Sequence, residues 1–324
     1  MTQAIFVRET GGPEVLRLEP HDPGKPGPGL LRVRVKAAGV NYTDVYSRAG
    51  TNPAVLPYVA GLEGAGVVEE VGPGVEDVTV GSRVGWSGQP ASYAEVALIA
   101  AAKAVPLPDG VIEEDAAAVL LQGMTAHYLV YGLRDVTLGS SALVHAAAGG
   151  VGLLLVQMLK ELGVNVIGTC STAEKEEIAR AAGADDIIIY EDGVDFDAKV
   201  RELTEDKGVD IVYDAVGKST FDASLRSLRP RGMLALYGHA SGRVPNFDPV
   251  RLGEHGSIFL TRPSLNHYTL DRAELEMRAN FVLSAVADGR LKLRIGGRYP
   301  LGDAAEAHRA LESRGTTGKL LLIP

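Results

Sequence analysis

The residues best suited to chemistry are those of a glycine turn, His145-Ala146-Ala147-Ala148-Gly149-Gly150-Val151-Gly152. An apolar run, Ala142-Leu143-Val144, precedes it, and Leu153-Leu154-Leu155-Val156 follows. That order reads as strand, tight turn, helix. Such a turn lets backbone approach a pyrophosphate, and the helix start supplies unpaired N–H groups and the positive end of a dipole. The spacing is the dinucleotide fingerprint with Ala147 at its first glycine position, followed by Gly149 and Gly152.

A dinucleotide turn needs a parallel sheet behind it, and the chain has the matching rhythm. Strands are expected at 141–147, 164–169, 186–190, 209–214 and 232–238, with helices between them at 173–182 and 219–228. Before residue 120 the pattern is β-rich, with period-two alternation in Leu31–Ala37 and short strands punctuated by glycine. A helix is expected to start near Glu113, with acids in its first turn. Towards the end, helices are expected at 270–288 and 304–312, and a terminal strand at Lys319–Ile323.

Composition narrows the function classes. A chain of 324 residues suits two domains. Net charge is −9 with no block of like charges, which argues against nucleic acid and anionic membranes as partners. There is no apolar run long enough for a membrane span, and no signal-peptide plan at the start. The single cysteine, Cys170, excludes an intrachain disulfide and a multi-cysteine metal site. A cytoplasmic location is expected.

The second strand of the fingerprint unit ends at Cys170, about where NAD enzymes place an acid for the ribose diol. No carboxylate there repels a 2′-phosphate. Ser171 and Thr172 offer hydrogen bonds and Lys175 a positive charge, with Glu174 as a mild objection. The blander reading is that Ser171 and Thr172 only cap a helix and Lys175 is a solvated charge. The strand end thus has groups able to receive a 2′-phosphate.

Several segments, in order, carry a family resemblance: Gly11-Gly12-Pro13-Glu14-Val15-Leu16, Gly39-Val40-Asn41-Tyr42-Thr43-Asp44, Gly61-Leu62-Glu63-Gly64-Ala65-Gly66, the glycine turn, Val212-Tyr213-Asp214-Ala215-Val216-Gly217, Thr261-Arg262-Pro263-Ser264-Leu265 and Leu311-Glu312-Ser313-Arg314. With these the chain resembles the zinc-free quinone oxidoreductase (zeta-crystallin-type) branch of the medium-chain dehydrogenase/reductase superfamily. The resemblance implies a GroES-like β-rich catalytic domain at 1–124, a Rossmann doubly wound nucleotide domain at 125–262, and a C-terminal segment, 263–324, returning to the first domain. Zinc-binding relatives carry a cysteine where Asn41 stands and a histidine where Leu62 stands. Neither replacement is a zinc donor, so no metal is expected.

What the resemblance implies for the site runs as follows. Asn41 and Tyr42 bracket the nicotinamide, with Thr43 and Asp44 beside them and Tyr46 facing the substrate. Thr125 and Tyr128 approach the cofactor, as do Ala148, Gly149, Gly150, Val151 and Gly152 of the turn. Ser171, Thr172, Lys175, Tyr190 and Arg314 hold the 2′-phosphate. Val216, then Gly238, Ala240, Ser241, Gly242 and Arg243, and finally Pro263, Ser264 and Leu265 complete the cleft. Tyr46 and Asn41 are the catalytic candidates, the Tyr46 phenol as a donor to charge growing on a quinone oxygen. Asp44 reads as structural, and Arg262 as a structural ion-pair partner. His145 and Cys170 read as core residues. No Gly-x-Ser-x-Gly elbow is present.

The expected activity is zinc-independent hydride transfer from NADPH to a quinone. Alternatives are a zinc-free NADPH-dependent enone or 2-alkenal reductase and a non-catalytic, crystallin-like NADPH-binding protein. Ser257–Thr261 reads as an apolar edge strand, and relatives pair such a strand across a two-fold axis, so a homodimer is expected.

Overall fold

The computed structural model describes residues 1–190 and 195–324. In chain order the elements are β1 (Thr2–Val7), β2 (Leu16–His21), β3 (Leu30–Val40), α1 (Tyr42–Arg48), β4 (Tyr58–Val59), β5 (Glu63–Val71), β6 (Arg83–Ser87), β7 (Val96–Ala100), β8 (Val105–Pro106) and α2 (Glu113–Tyr131). There follow β9 (Ser141–Val144), α3 (Gly150–Glu161), β10 (Asn165–Cys170), α4 (Ala173–Ala181), β11 (Asp186–Ile189), α5 (Phe196–Leu203), β12 (Val209–Asp214), α6 (Phe221–Ser227), β13 (Leu228–Leu236), α7 (Val250–Glu254) and β14 (Phe259–Thr261). The chain ends with α8 (Arg272–Ala287), β15 (Ile295–Pro300), α9 (Ala304–Glu312) and β16 (Lys319–Ile323).

Two compact units result. One comprises Met1–Met124 and Thr269–Pro324, the other Thr125–Tyr268. Residues 263–268 stay with the second unit, where the Tyr268 ring stacks on Tyr128 at 4.4 Å and 6°.

The first unit is built on β3. This strand pairs antiparallel with β5, β7 and β16, and the sheet runs β15-β16-β3-β5-β6-β8 with β7 also on β3. Leu320 lies opposite Val40 and Leu322 opposite Ala38, so the last strand of the chain closes onto the first unit's longest strand. A smaller sheet, β2-β1-β4, completes the layer. The core gathers Val33, Val35, Trp86, Tyr93, Ile99, Leu320 and Leu322, all almost fully buried. Trp86 satisfies its indole N–H on Ser92 Oγ at 2.9 Å, as a buried indole must.

The second unit is a six-stranded parallel sheet of order β11-β10-β9-β12-β13-β14. In sequence-order terms that is 3-2-1-4-5-6, the doubly wound arrangement whose crossover reverses between β9 and β12. Its strands read as nearly continuous apolar runs, because both faces are covered by helices. Leu143, Ile167, Val212 and Leu234 are fully buried in its core.

The largest changes to the sequence-derived spans are in two strands. The first strand of this unit stops at Val144, not 147, because Ala146 has φ of 51° and already turns the chain. The strand expected at 232–238 begins earlier and ends earlier, at Leu228–Leu236, since Tyr237 and Gly238 bend back to bond the Asp214 carbonyl.

If β16 is an integral part of the first core, truncating Leu322 to alanine, a buried site on that strand, lowers stability by about 2–5 kcal/mol. Urea unfolding checks this; a change under about 0.5 kcal/mol, the range of surface substitutions, excludes it.

Candidate functional site

In the second unit the glycine turn has the geometry of an anion cradle. Gly149 caps α3 in extended conformation, and its N–H donates to Ala146 O at 2.8 Å. A side chain on Gly152 would collide with that same carbonyl, so only glycine lets the helix start pack this closely. No acidic residue sits in the first turn of α3, so the helix's own first turn leaves the positive end of its dipole uncancelled. Ala148 is buried, while Gly150 and Val151 are partly exposed at the helix start.

At the end of β10, Thr172 Oγ1 accepts the Lys175 N–H at 3.3 Å and so caps α4. The cap uses an oxygen lone pair, not the hydroxyl proton. Lys175 Nζ lies 3.3 Å from Ser171 Oγ, and partial burial pulls its ammonium pKa down. The capping role is therefore real, and it coexists with an ammonium and two hydroxyls clustered at one strand end. Tyr190 meets the edge of the His145 ring at 6.5 Å.

Two loops after β12 and β13 are stitched together. Ser241 N and Oγ both donate to Val216 O, Ala240 N donates to Ala215 O, and Lys218 N donates to Gly242 O. Asp214, fully buried, anchors them: Oδ1 accepts from Val216 N at 2.8 Å and Gly217 N at 3.0 Å, and both oxygens accept from Thr220. Ser224 donates to Asp214 Oδ2 and bonds His145 Nε2, while His145 Nδ1 bonds Thr169 Oγ1. Burial holds the His145 pKa down, in keeping with a neutral core imidazole. Arg262, read from the sequence as a structural ion-pair partner, donates to the carbonyls of Tyr237 and Pro263 and bonds His239 Nδ1, tying Pro263 to the Tyr237 loop. Ser264 is exposed and Leu265 partly so, whereas Arg243 lies exposed at the loop's end. Thr125 and Tyr128 are buried, and Tyr128 packs on Tyr268.

In the first unit Asn41, Tyr42, Thr43, Asp44 and Tyr46 lie on or at the start of α1. The helix begins with a capping box, in which Asp44 Oδ2 accepts the Asn41 N–H at 2.9 Å. Tyr42 and Tyr46, both partly buried, tilt toward each other at 6.0 Å. Tyr42 donates to Leu311 O, and Arg314 lies close enough to lower a phenol pKa that burial raises more strongly.

Asn41 is more tied than its sequence position suggests. Nδ2 donates to Gly39 O at 3.2 Å and Glu63 Oε2 at 2.8 Å; Oδ1 accepts from Gln122 Nε2 at 3.3 Å and Lys319 Nζ at 2.7 Å. Both amide protons and both lone pairs are engaged inside the protein. Asn41 therefore presents a wall and a fixed dipole, not a free hydrogen-bonding group.

Beneath α1, Asp44 Oδ2 also accepts from Tyr93 OH at 3.0 Å, and Tyr93 OH lies 3.2 Å from His308 Nε2. With the phenol donating to Asp44, the histidine proton belongs on Nε2. Burial raises the Asp44 pKa to about 7 and lowers that of His308 to about 3, Arg48 adding to the latter. Neither Tyr93 nor His308 was singled out from the sequence, because only the packing of α9 against the first unit brings them to Asp44.

A model described as the alcohol dehydrogenase GroES-like domain matches residues 27–109, and one described as zinc-binding dehydrogenase matches 150–271. A 2-haloacrylate reductase from a Burkholderia species is 44% identical over all of this chain and 99% of its own. A quinone oxidoreductase from Pseudomonas aeruginosa is 42% identical over the whole of both chains. The solved structure of a mycobacterial protein complexed with NADPH superimposes with a TM-score of 0.97 at 48% identity, covering 99% of this chain and 100% of that one. The chain belongs to the quinone oxidoreductase branch of the medium-chain dehydrogenase/reductase superfamily.

The zinc in one family description does not suit the residues here. Asn41 is an amide, Leu62 a hydrocarbon, and Glu63 already accepts from Leu121 N at 2.6 Å, from Asn41 and from Lys319 at 2.5 Å. A cation is thus already seated on the one carboxylate. Among the described residues no three His, Cys, Asp or Glu side chains group as a metal site, and no helix is long and apolar enough to cross a membrane.

The opposed shifts at Asp44 and His308 make a testable pH signature. Asp44 has a folded pKa above its ordinary 3.8, so acidification from about 7 to 4 favours the fold. His308 has a folded pKa below its ordinary 6.5, so acidification from 6.5 to about 3 opposes it. Between pH 4 and 6.5 the two slopes offset each other. In Asp44→Asn the histidine contribution stands alone, and stability relative to wild type drops by about 1.4 kcal/mol per pH unit on acidification across that window. In His308→Gln the relative slope has the opposite sign. Denaturant melts from pH 4 to 6.5 measure both; parallel curves for all three proteins rule the pairing out.

Proposed function

We propose that this protein is an NADPH:quinone oxidoreductase that delivers hydride directly, without a metal. One observation carries the reading: the unopposed anion cradle at Gly149–Gly152 stands on a 3-2-1-4-5-6 sheet whose next strand ends in Ser171, Thr172 and Lys175 rather than an acid. Near-complete coverage by relatives named for quinone reduction, and a neighbour holding NADPH, support it.

The residues fit the cofactor. The α3 N-terminus and the glycine backbone receive the pyrophosphate. Ser171, Thr172 and Lys175, with Tyr190 and Arg314, receive the 2′-phosphate. Thr125, Tyr128, Val216, the Gly238–Arg243 loop with Ala240, Ser241 and Gly242, and Pro263–Leu265 complete its seat. When bound, NADPH supplies the hydride. The α1 segment from Asn41 through Thr43 and Asp44 walls the nicotinamide end, and Tyr46 donates its phenolic hydrogen bond to charge growing on the acceptor oxygen. Quinones take hydride readily, and water suffices for the hydroquinone proton. Positioning is then the main demand on the protein.

A second reading has its own support in the 2-haloacrylate reductase relative. An activated alkene needs hydride at its β-carbon and a proton at its α-carbon, and Tyr46 is the group we assign to that proton. The exposed edge strand β14, with Phe259 turned outward, supports a homodimer formed by pairing of those edges. One buried thiol, Cys170, accords with a cytosolic setting.

Oxidation of NADPH and of NADH is measured with 1,4-benzoquinone and, separately, with 2-chloroacrylate, before and after treatment with a chelator. NADPH-dependent quinone turnover that survives chelation is expected. Turnover of the acrylate alone transfers the assignment to alkene reduction, and loss on chelation ends the metal-free reading. Ser171→Asp, which puts a carboxylate beside the strand end, is expected to weaken NADPH relative to NADH by about 10- to 100-fold, read from the ratio of kcat/KM values. An unchanged ratio removes this strand end from 2′-phosphate recognition.

A further inference from the structure

Lys319 and Glu63 form an ion pair at 2.5 Å with side chains only 3% and 0% exposed. A buried pair of this kind is weak evidence for stability, because desolvating two charges offsets their attraction. Its surroundings are equally specific. The ammonium also donates to Asn41 Oδ1 at 2.7 Å, and the carboxylate holds Asn41 Nδ2 and the Leu121 N–H. Gly39 seals the cluster: a β-carbon there would overlap the Glu63 carboxylate and lie 2.5 Å from Ala117 O and 2.7 Å from Lys319 Cε.

This arrangement permits one orientation of the Asn41 amide. Exchanging its oxygen and nitrogen would set an NH2 group against the Lys319 ammonium and an oxygen against the Glu63 carboxylate and the Gly39 carbonyl. Lys319 reaches this position because β16 pairs antiparallel with β3 in the register Leu320 to Val40, which brings the residue before Leu320 beside the residue after Val40.

We propose that Lys319 is a positioning residue of the hydride-transfer end, a resident cation built into the chain. It fixes the Asn41 amide, at the position where the zinc-binding relatives keep a cysteine, and neutralises Glu63. The inference rests on the reading that Asn41 borders the nicotinamide. The physical demand is clear. Hydride delivery builds negative charge on the acceptor, and an uncompensated carboxylate in a low-dielectric wall opposes it. Lys319 removes that opposition. It also keeps the wall from reorienting, which matters because sub-ångström placement sets the rate of such a transfer.

The test compares wild type with Lys319→Met, Lys319→Arg and the double variant Lys319→Met/Glu63→Gln. Lys319→Met leaves Glu63 buried and unpaired and is expected to lose thermal stability, so the double variant, neutral at both positions, is the decisive protein. Three quantities are read for it: thermal midpoint, NADPH affinity from the cofactor's fluorescence, and kcat and KM with whichever of 1,4-benzoquinone and 2-chloroacrylate the wild type reduces. The expected result is a midpoint recovered relative to Lys319→Met, NADPH affinity within about twofold of wild type, and kcat lower by roughly 10- to 100-fold. Lys319→Arg, which keeps the charge with a different shape, is expected to fall between. Because Glu63→Gln removes the opposing charge as well, the loss in the double variant reports the freed Asn41 amide alone, and a double variant with wild-type kcat overturns the positioning role. A loss confined to NADPH affinity overturns it too. Failure of the quinone reading shows separately, as a wild type that reduces only the acrylate, and the comparison among variants stands.

Discussion

The first unit depends on one long-range pairing, that of β16 with β3. A strand from the chain's last residues lies against one ending at Val40, and the register delivers Lys319 to Glu63 and Asn41. Without it the Ala38–Val40 end of β3 would be an open edge, and Glu63 would be a buried carboxylate lacking its cation. A buried carboxylate without a counter-charge shifts its ionisation or destabilises the fold. The C-terminal segment is thus both a strand of the sheet and the source of the cation paired with Glu63.

The second unit solves a different problem. Its parallel strands direct several loops to one edge, and loops need fixing if they are to hold a ligand. Asp214 does this by receiving two backbone N–H groups and two hydroxyls, with His145 and Thr169 extending the network to β10. The glycine turn is fixed by sterics instead, since Gly152 leaves no room for a side chain beside Ala146. A satisfied polar network and a close-packed turn both yield a preorganised surface at little cost in mobility on binding.

Much of this was legible along the chain. The strand–turn–helix signal around Gly149, the alternation of strands and helices after residue 140, and the missing acid after Cys170 are local features, set by neighbours within a few residues. The roles of His145 and Arg262 were only partly legible. His145 read as a core residue, but its partners Thr169 and Ser224 come from other elements. Arg262 read as structural, and the Tyr237 carbonyl and His239 ring it meets lie on another loop. Lys319 gave no signal beyond a polar start to an apolar strand, and Tyr93 and His308 gave none.

Sequence by itself determined the strand–turn–helix unit and the alternating rhythm of the second unit, because short-range sterics and hydrophobic periodicity act within a turn or a strand, and the ordered segments carried the family resemblance. Tertiary structure alone decided the state of Asn41. Its partners lie at positions 39, 63, 122 and 319, and the last is 278 residues away. No local pattern encodes which lysine will meet which carboxylate. That is set by strand register, and register follows from how the buried faces of β3 and β16 pack into one core.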